Sequence, residues 1–146
     1  MDLFDHQVIP LELTPERDSA ITFWPNWLSG KDADNLLSKS IESIDWRTDT
    51  IRIVGKQIPI PRLQQWFGQP GNSYTYSNIC MQAVSFPVWI DSLRASVEEQ
   101  TANSFNRALV NYYRAGSDSV DWHADDEPEL GSEPVIASLS LGVERV

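Results

Sequence analysis

The feature that most constrains the fold of this chain is a strand pattern that recurs through its last third. Apolar and polar residues alternate over residues 105–114, and side chains two apart in a strand share a face. One face carries Leu109, Asn111 and Tyr113, and the other carries Ala108, Val110 and Tyr112. Residues 119–122 and the segment VIASLSLG at 135–142 continue the extended pattern. We therefore predict a sheet in this region.

Two amphipathic helices are predicted before these strands. Residues 31–44 place apolar side chains at helical spacing, namely Ala33, Leu36, Leu37, Ile41 and Ile44. Ser29 and Asp32 form a weak capping box in front of this helix. The second helix begins at Pro87, and its apolar face carries Trp89, Leu93 and Val97.

The remaining segments complete an α+β pattern. Residues 50–54 are predicted as a strand, residues 55–62 as a turn-rich connector and residues 1–20 as a polar, loosely patterned lead-in. Because two helices precede a set of strands, we predict an α+β fold in which the helices back a sheet. The predicted division is a lead-in at 1–20, a helical part at 21–100 and a strand-rich part at 101–146.

The composition is that of an ordinary globular protein. Its 146 residues suit one domain or most of one, and 41% apolar and 22% charged residues are typical fractions. No apolar run is long enough to span a membrane, and the acidic start MDLFDHQVIP argues against export. The single Cys80 excludes an intrachain disulfide. We expect a cytoplasmic location, or a nuclear one in a eukaryote.

The charge is unevenly distributed along the chain. The net charge of −10 argues against nucleic acid, because phosphate contacts need Lys and Arg. Residues 118–133 hold seven acids and no Lys or Arg, whereas residues 46–76 hold four basic residues and one acid. The basic, aromatic-rich segment could hold a polyanion, and scattered solvated charges are the alternative interpretation.

A His-x-Asp pair is the candidate metal site. In an extended segment His123 and Asp125 point the same way and can reach one ion. Two imidazoles and one carboxylate form the facial triad of non-haem Fe(II) oxygenases, and zinc also accepts these ligands. An exposed histidine in an acidic loop is the alternative. Asn111 and Tyr113, close before this pair, suit hydrogen bonds to an anionic ligand, or a sheet edge and a core position.

Several short motifs occur together in the order of a known family. Pro61-Arg62, then Tyr74-Thr75-Tyr76-Ser77, then His123-Ala124-Asp125-Asp126-Glu127 are followed by PVIASLSLG. Over residues 20–146 the chain resembles the AlkB family of Fe(II)- and 2-oxoglutarate-dependent dioxygenases. The resemblance implies a double-stranded β-helix (jelly-roll) core, a nucleotide-recognition segment within 21–100, and Fe(II), 2-oxoglutarate and O2 as cofactor and co-substrates.

The resemblance also implies roles for single residues. His123 and Asp125 match iron ligands and are thereby the catalytic residues, while Asn111 and Tyr113 match the pair that binds 2-oxoglutarate. Tyr76 matches an aromatic that stacks on the target base, and residues 53–56 resemble a hairpin that probes the duplex beside the lesion. The substrate-binding positions are Arg62, Tyr74, Tyr76, Asp126 and Glu127.

The family pattern needs parts that this sequence lacks. A third iron-binding histidine and arginines for 2-oxoglutarate follow the SLSLG strand in the family. His6 is a poor substitute, and Arg145 lies too close to that strand. We therefore expect a C-terminally truncated dioxygenase that binds iron weakly, turns over little and exposes an unpaired strand edge.

The function implied is repair of alkylated DNA. The expected reaction is oxidative demethylation of 1-methyladenine and 3-methylcytosine, in single- or double-stranded DNA, by a monomer that contacts no membrane. RNA, a protein or a small molecule is the alternative substrate for a 2-oxoglutarate oxygenase. A fragment that acts only as a binding module is the remaining alternative.

Overall fold

The computed structural model shows two compact units. One comprises Met1–Glu42 with Leu141–Glu144, and the other comprises Ser43–Ser140 with Arg145–Val146. The structure describes residues 7–14, 17–69, 73–76, 79–121, 123, 130–131 and 133–144. Within these residues, neither helix has the length and apolar character needed to cross a bilayer.

The first unit contains a hairpin and a helix. Strand β1 (Gln7–Thr14) pairs antiparallel with β2 (Arg17–Phe23), and the register shifts between Glu12 and Thr14. The sequence predicted only a polar, loosely patterned lead-in over residues 1–20, so both strands were missed. Strand pairing depends on a partner segment, so it left little trace in the periodicity of residues 1–20 alone.

Helix α1 (Gly30–Ser43) confirms the first predicted helix. The backbone N–H of Asp32 donates to Ser29 Oγ at 3.1 Å, and that hydroxyl donates to Asp32 Oδ2 at 2.6 Å. This side-chain pair satisfies an N–H group that the helix itself leaves unbonded, as the capping box predicted.

The second unit contains six strands and one helix. They are β3 (Thr50–Ile53), β4 (Lys56–Pro59), β5 (Leu63–Phe67), β6 (Ser73–Tyr76), β7 (Ile79–Gln82), α2 (Val88–Thr101) and β8 (Ala108–Tyr112). The antiparallel pairs are β3 with β4, β5 with β8 and β6 with β7. The prediction of a turn-rich connector at residues 55–62 is wrong in part, because this segment contains β4. Strand β5 was not predicted at all.

Strand β5 is paired on both edges. One edge bonds β8, with Gln64 opposite Asn111. On the other edge Arg47 and Gln64 exchange two backbone hydrogen bonds of 3.0 and 3.1 Å, and Val84 forms a parallel bridge with Phe67. β5 is thus the interior strand of this unit, which agrees with its burial along residues 64–67.

The hydrophobic core lies on one face of the β5–β8 pair. Its buried centre is Ile44, Phe67 and Ile90, and the side chains packed against this centre are Trp46, Phe86, Trp89, Ala108 and Val110. The rings of Phe67 and Phe86 stack at 6.2 Å. Ala108 and Val110 both pack against this core, which confirms that they share a face of the strand predicted over residues 105–114.

Two predicted strands are not found. Residues 119–121 and 134–141 have no strand structure, and residues 134–140 are exposed. Among the described residues, no strand ladder includes either segment, so alternation alone did not establish a strand. The α+β class is confirmed by two helices and small antiparallel sheets, while the double-stranded β-helix core stays a prediction.

Arg94 ties α2 to the segment that enters β8. Its Nη1 donates to Glu98 Oε1 at 2.7 Å and to the Phe105 carbonyl at 3.0 Å, and Glu98 Oε1 also accepts from the Phe105 N–H at 2.7 Å. Its guanidinium carbon lies 5.5 Å from the centre of the Phe86 ring. One partly exposed arginine therefore connects helix, loop and core.

Arg94→Met should lower the free energy of unfolding by about 1–2 kcal/mol, because Glu98 and the Phe105 carbonyl lose a charged donor while the side-chain stem is kept. Urea unfolding followed by circular dichroism measures the change. Ser96→Ala on the exposed face of α2 is the control and should change stability by less than about 0.5 kcal/mol. Equal effects of the two substitutions would contradict the structural role of Arg94.

Candidate active site

One face of the β5–β8 pair gathers three of the residues that the sequence singled out. Gln64 and Asn111 are directly opposite each other in the ladder. Since both backbone groups of Gln64 bond Arg47, the Gln64–Asn111 pair is of the non-hydrogen-bonded kind, in which side chains approach most closely. Arg62 and Tyr113 lie two residues from this pair and therefore share its face.

A line of polar contacts runs across this face into the protein. Arg62 Nη1 lies 3.5 Å from the Tyr113 hydroxyl, and Arg62 Nε lies 3.3 Å from Gln64 Oε1. Gln64 Nε2 donates to Asp49 Oδ2 at 2.9 Å. At 3.5 Å the first contact is at the outer limit of a hydrogen bond, so attraction between the guanidinium charge and the hydroxyl dipole dominates it.

The side chains in this line are buried, so their polar groups need hydrogen-bond partners within the protein. Gln64 is fully buried, and Arg62 and Asp49 are only 6% and 9% exposed. A charge removed from water is costly unless an opposite charge or an oriented dipole compensates it. Here the carboxylate of Asp49 also accepts from Arg47 Nη2 at 3.3 Å. The buried Arg62, Gln64 and Asp49 thus form one polar network of the second unit, and the exposed Arg47 lies at its outer end.

A tight turn after β8 returns the chain to Arg62. The Arg114 backbone N–H and its Nε donate to Asp118 Oδ2 at 2.9 and 2.7 Å. These bonds also raise the pKa of Arg114, chiefly through the side-chain hydrogen bond with Asp118. The next residue, Ser119, donates its N–H to the Pro61 carbonyl at 3.1 Å. This hydrogen bond holds the segment that leads to His123 next to Pro61, the residue before Arg62.

His123 has the protonation geometry of a metal ligand. It is exposed, and its Nδ1 lies 2.8 Å from the Asp121 carbonyl oxygen. A carbonyl oxygen only accepts, so Nδ1 carries the proton and Nε2 carries the lone pair in the neutral ring. Metal-binding histidines are commonly oriented by such a second hydrogen bond. This arrangement fits an iron-binding role for His123.

The other acidic residues of the predicted metal strand lie in a part of the chain that the structure does not describe. Asp125, Asp126 and Glu127 lie outside the described residues. Among those residues, no three His, Cys, Asp or Glu side chains gather into a metal-binding cluster. The pairing of His123 with Asp125 therefore stays a prediction.

The predicted aromatic positions lie in a hairpin of the second unit. Tyr74 is opposite Met81 and Tyr76 is opposite Ile79 in the β6–β7 ladder. The extended structure predicted for residues 74–76 is confirmed at the level of the backbone. Their contacts with a base stay predictions.

The predicted probing segment is a hairpin tip. Strands β3 and β4 are joined by Val54 and Gly55, whose φ angles are 48° and 79°. Such a two-residue turn favours Asn-Gly, and a β-branched residue is strained there. Val54 is nevertheless 97% exposed, so no packing compensates this strain. Strain without a structural benefit is typical of functional positions.

Sequence reasoning missed Asp49 and Gln64 as members of this site. Asp49 was counted only as a lone acid in a basic segment, and β5 was not recognised. Its sequence LQQWF offered one signal, since adjacent glutamines between apolar residues point to opposite faces of a strand.

Comparison with known proteins identifies the family. A family model described as the 2OG-Fe(II) oxygenase superfamily matches residues 20–146. The chain belongs to this superfamily. Among its relatives is the alpha-ketoglutarate-dependent dioxygenase alkB homolog 3 of Mus musculus, 40% identical over 141 residues, which are 94% of this chain and 48% of that protein. The alkB homolog 3 of Homo sapiens is 38% identical over 141 residues, which are 94% of this chain and 48% of that protein.

A second group of relatives supports the same assignment. The DNA oxidative demethylase ALKBH2 of Homo sapiens is 33% identical over 109 residues, which are 75% of this chain and 42% of that protein. Together these matches confirm the resemblance to AlkB-family dioxygenases. The chain spans about half the length of the curated relatives it matches. Membership implies Fe(II), 2-oxoglutarate and O2 as the reaction's metal and co-substrates.

Proposed function

We propose that this chain forms part of an AlkB-type oxidative demethylase that removes methyl groups from 1-methyladenine and 3-methylcytosine in DNA. The observation that carries the proposal is the shared face of Arg62, Asn111 and Tyr113 beside the segment leading to His123. Relatives named as an alpha-ketoglutarate-dependent dioxygenase and a DNA oxidative demethylase support it. We further propose that the protein is a monomer. Because its substrate is DNA, we expect it in the cytoplasm, or in the nucleus of a eukaryote.

Two pairs of residues would hold the metal and the co-substrate. His123, through Nε2, and Asp125 bind Fe(II), and Asn111 and Tyr113 donate hydrogen bonds to 2-oxoglutarate. When bound, iron with 2-oxoglutarate and O2 supplies the oxidation of an N-methyl group, coupled to decarboxylation of the co-substrate. His123 and Asp125 are the ligands that we propose, and His6 is a poor substitute for a third, so we propose that the 146 residues alone bind iron weakly and turn over little.

The target base would lie between aromatic and acidic groups. A base must leave the helical stack to reach an enclosed site, and stacking on an aromatic ring offsets about 1–3 kcal/mol of that cost. Tyr76 is the stacking residue and Tyr74 lies at the phosphate or base edge, while Arg62 belongs to the same lesion-recognition segment. Methylation gives 1-methyladenine and 3-methylcytosine a positive charge, so Asp126, and secondarily Glu127, would favour them over normal bases.

The exposed β3–β4 tip suits contact with a duplex. Val54 places an apolar group at the end of a hairpin that carries the exposed Lys56 and Gln57. An apolar wedge between base pairs is a known way of opening a DNA stack, and a lysine beside it contacts phosphate. We therefore assign the strained Val54 to duplex probing.

A DNA-binding test follows from the base site. The chain should bind a single-stranded oligonucleotide with one 3-methylcytosine about tenfold more tightly than its unmodified counterpart, measured by fluorescence anisotropy at fixed salt. Tyr76→Ala should remove most of this preference, and Tyr76→Phe, which keeps the ring, should retain it. A matching RNA oligonucleotide tests the alternative substrate.

Absence of any preference for the methylated strand would contradict the proposed substrate. Turnover of 2-oxoglutarate then shows whether the protein is an oxygenase that acts on another substrate. Succinate release stimulated by a protein extract but not by methylated DNA, in a longer protein containing this chain, would indicate a different substrate class.

Metal binding tests the histidine assignment. In a Co(II) titration followed by visible absorption, His123→Ala should lower the affinity by about tenfold or more, because one of two protein ligands is lost. Asp121→Asn is the control: it keeps the backbone carbonyl that orients His123 and should change affinity less than about twofold. Unchanged affinity in His123→Ala would disprove the site.

A substitution at the β3–β4 tip should change the stability of the protein and its affinity for DNA in opposite directions. Val54→Asn should raise the free energy of unfolding by about 1 kcal/mol, because asparagine tolerates positive φ, and should weaken binding to a duplex containing 3-methylcytosine. Ala102→Gly is the matched control, since Ala102 ends α2 at φ 54°. It should also stabilise the protein but leave DNA affinity unchanged. Equal DNA affinity in both variants would exclude a probing role for Val54.

A further inference from the structure

The contact between Arg62 and Tyr113 has a fixed direction. A guanidinium has only donors, so the Tyr113 oxygen accepts from Arg62 Nη1. The hydroxyl proton of Tyr113 is therefore directed away from Arg62. A phenol in this state, next to a positive charge, is prepared to donate to a carboxylate.

The direction of the next contact is fixed in the same way. The carboxylate of Asp49 only accepts, so the atom of Gln64 that faces it is the NH2 group, and the Gln64 oxygen faces Arg62 Nε. Asp49 is itself held by Arg47 and by the Ile60 N–H, which donates to the Asp49 carbonyl at 2.9 Å. The fully buried Gln64 thus has one orientation that satisfies both neighbours.

We propose that Gln64 is a positioning residue that holds Arg62 against Tyr113, so that the Tyr113 hydroxyl donates its proton to the carboxylate of 2-oxoglutarate. The inference rests on the proposed function, because it requires Tyr113 to bind this co-substrate. Gln64 acts through Arg62 and touches neither co-substrate nor metal. Its backbone also lies opposite Asn111, the other member of the proposed 2-oxoglutarate pair.

The neighbouring glutamine provides a matched control. Gln65 is also buried, at 4% exposure, and also uses both ends of its amide. Its Nε2 donates to the Asp45 carbonyl at 2.7 Å, and its Oε1 accepts from the Trp66 N–H at 3.1 Å. Because side chains alternate along β5, Gln65 points away from Tyr113. Replacing it removes a comparable buried amide without affecting Arg62.

The test measures 2-oxoglutarate affinity by calorimetry in the presence of Co(II), with thermal unfolding in parallel. Gln64→Met should weaken 2-oxoglutarate binding about tenfold, the effect of losing a charge-supported hydrogen bond. Gln65→Met should lower the melting temperature comparably and leave this affinity within about twofold. Gln64→Glu keeps an oxygen for Arg62 and should retain affinity, although the new charge beside Asp49 lowers stability.

A double-mutant cycle tests the route through Arg62. Arg62→Met should weaken 2-oxoglutarate binding as much as Gln64→Met does, and the double variant should show no further loss. Additive losses, or affinities that follow melting temperature across all variants, would overturn the inference alone. The measurements use a longer protein that contains this chain. If that protein bound no 2-oxoglutarate without any substitution, the proposed co-substrate site would be wrong and the inference with it.

Discussion

The arrangement of this protein depends on the pairing of β5 at both of its edges. The backbone of Gln64 bonds Arg47 on one side, and the same residue faces Asn111 of β8 on the other. Once the strand is held in this register, alternation places Phe67 on the core face and Gln64 on the opposite face. A shift by one residue would exchange the two faces and bring Phe67 out of the core.

The polar face shows how an acidic protein can bury a cation. The overall charge is −10, but the side chains brought to Tyr113 are a guanidinium and an oriented amide. Gln64 links Asp49 to Arg62 through one hydrogen bond to each. A cation compensated at a distance can remain buried and still present its charge to a ligand. Net charge is therefore a poor guide to this site.

Two local features connect stability to function in the proposed enzyme. The Asp118 turn uses ordinary hydrogen bonds to bring the His123 segment next to Pro61. The β3–β4 tip does the reverse, since a β-branched Val54 occupies a backbone conformation that asparagine or glycine would adopt more easily. The first feature stabilises the fold around the site, while the second accepts strain at the surface where a duplex would meet the protein.

Local patterns in the sequence were sufficient for the elements whose cause is local. The capping pair before α1, the start of α2 after Pro87 and the two faces of β8 followed from helical or strand periodicity. The short motifs were sufficient for the AlkB family. They did not reveal β5, the β1–β2 hairpin or the irregular course of residues 134–141, because a strand is defined by a partner distant in sequence. Only tertiary structure brought Asp49, Gln64 and Arg62 into one buried line, since long-range register decides which polar side chains meet.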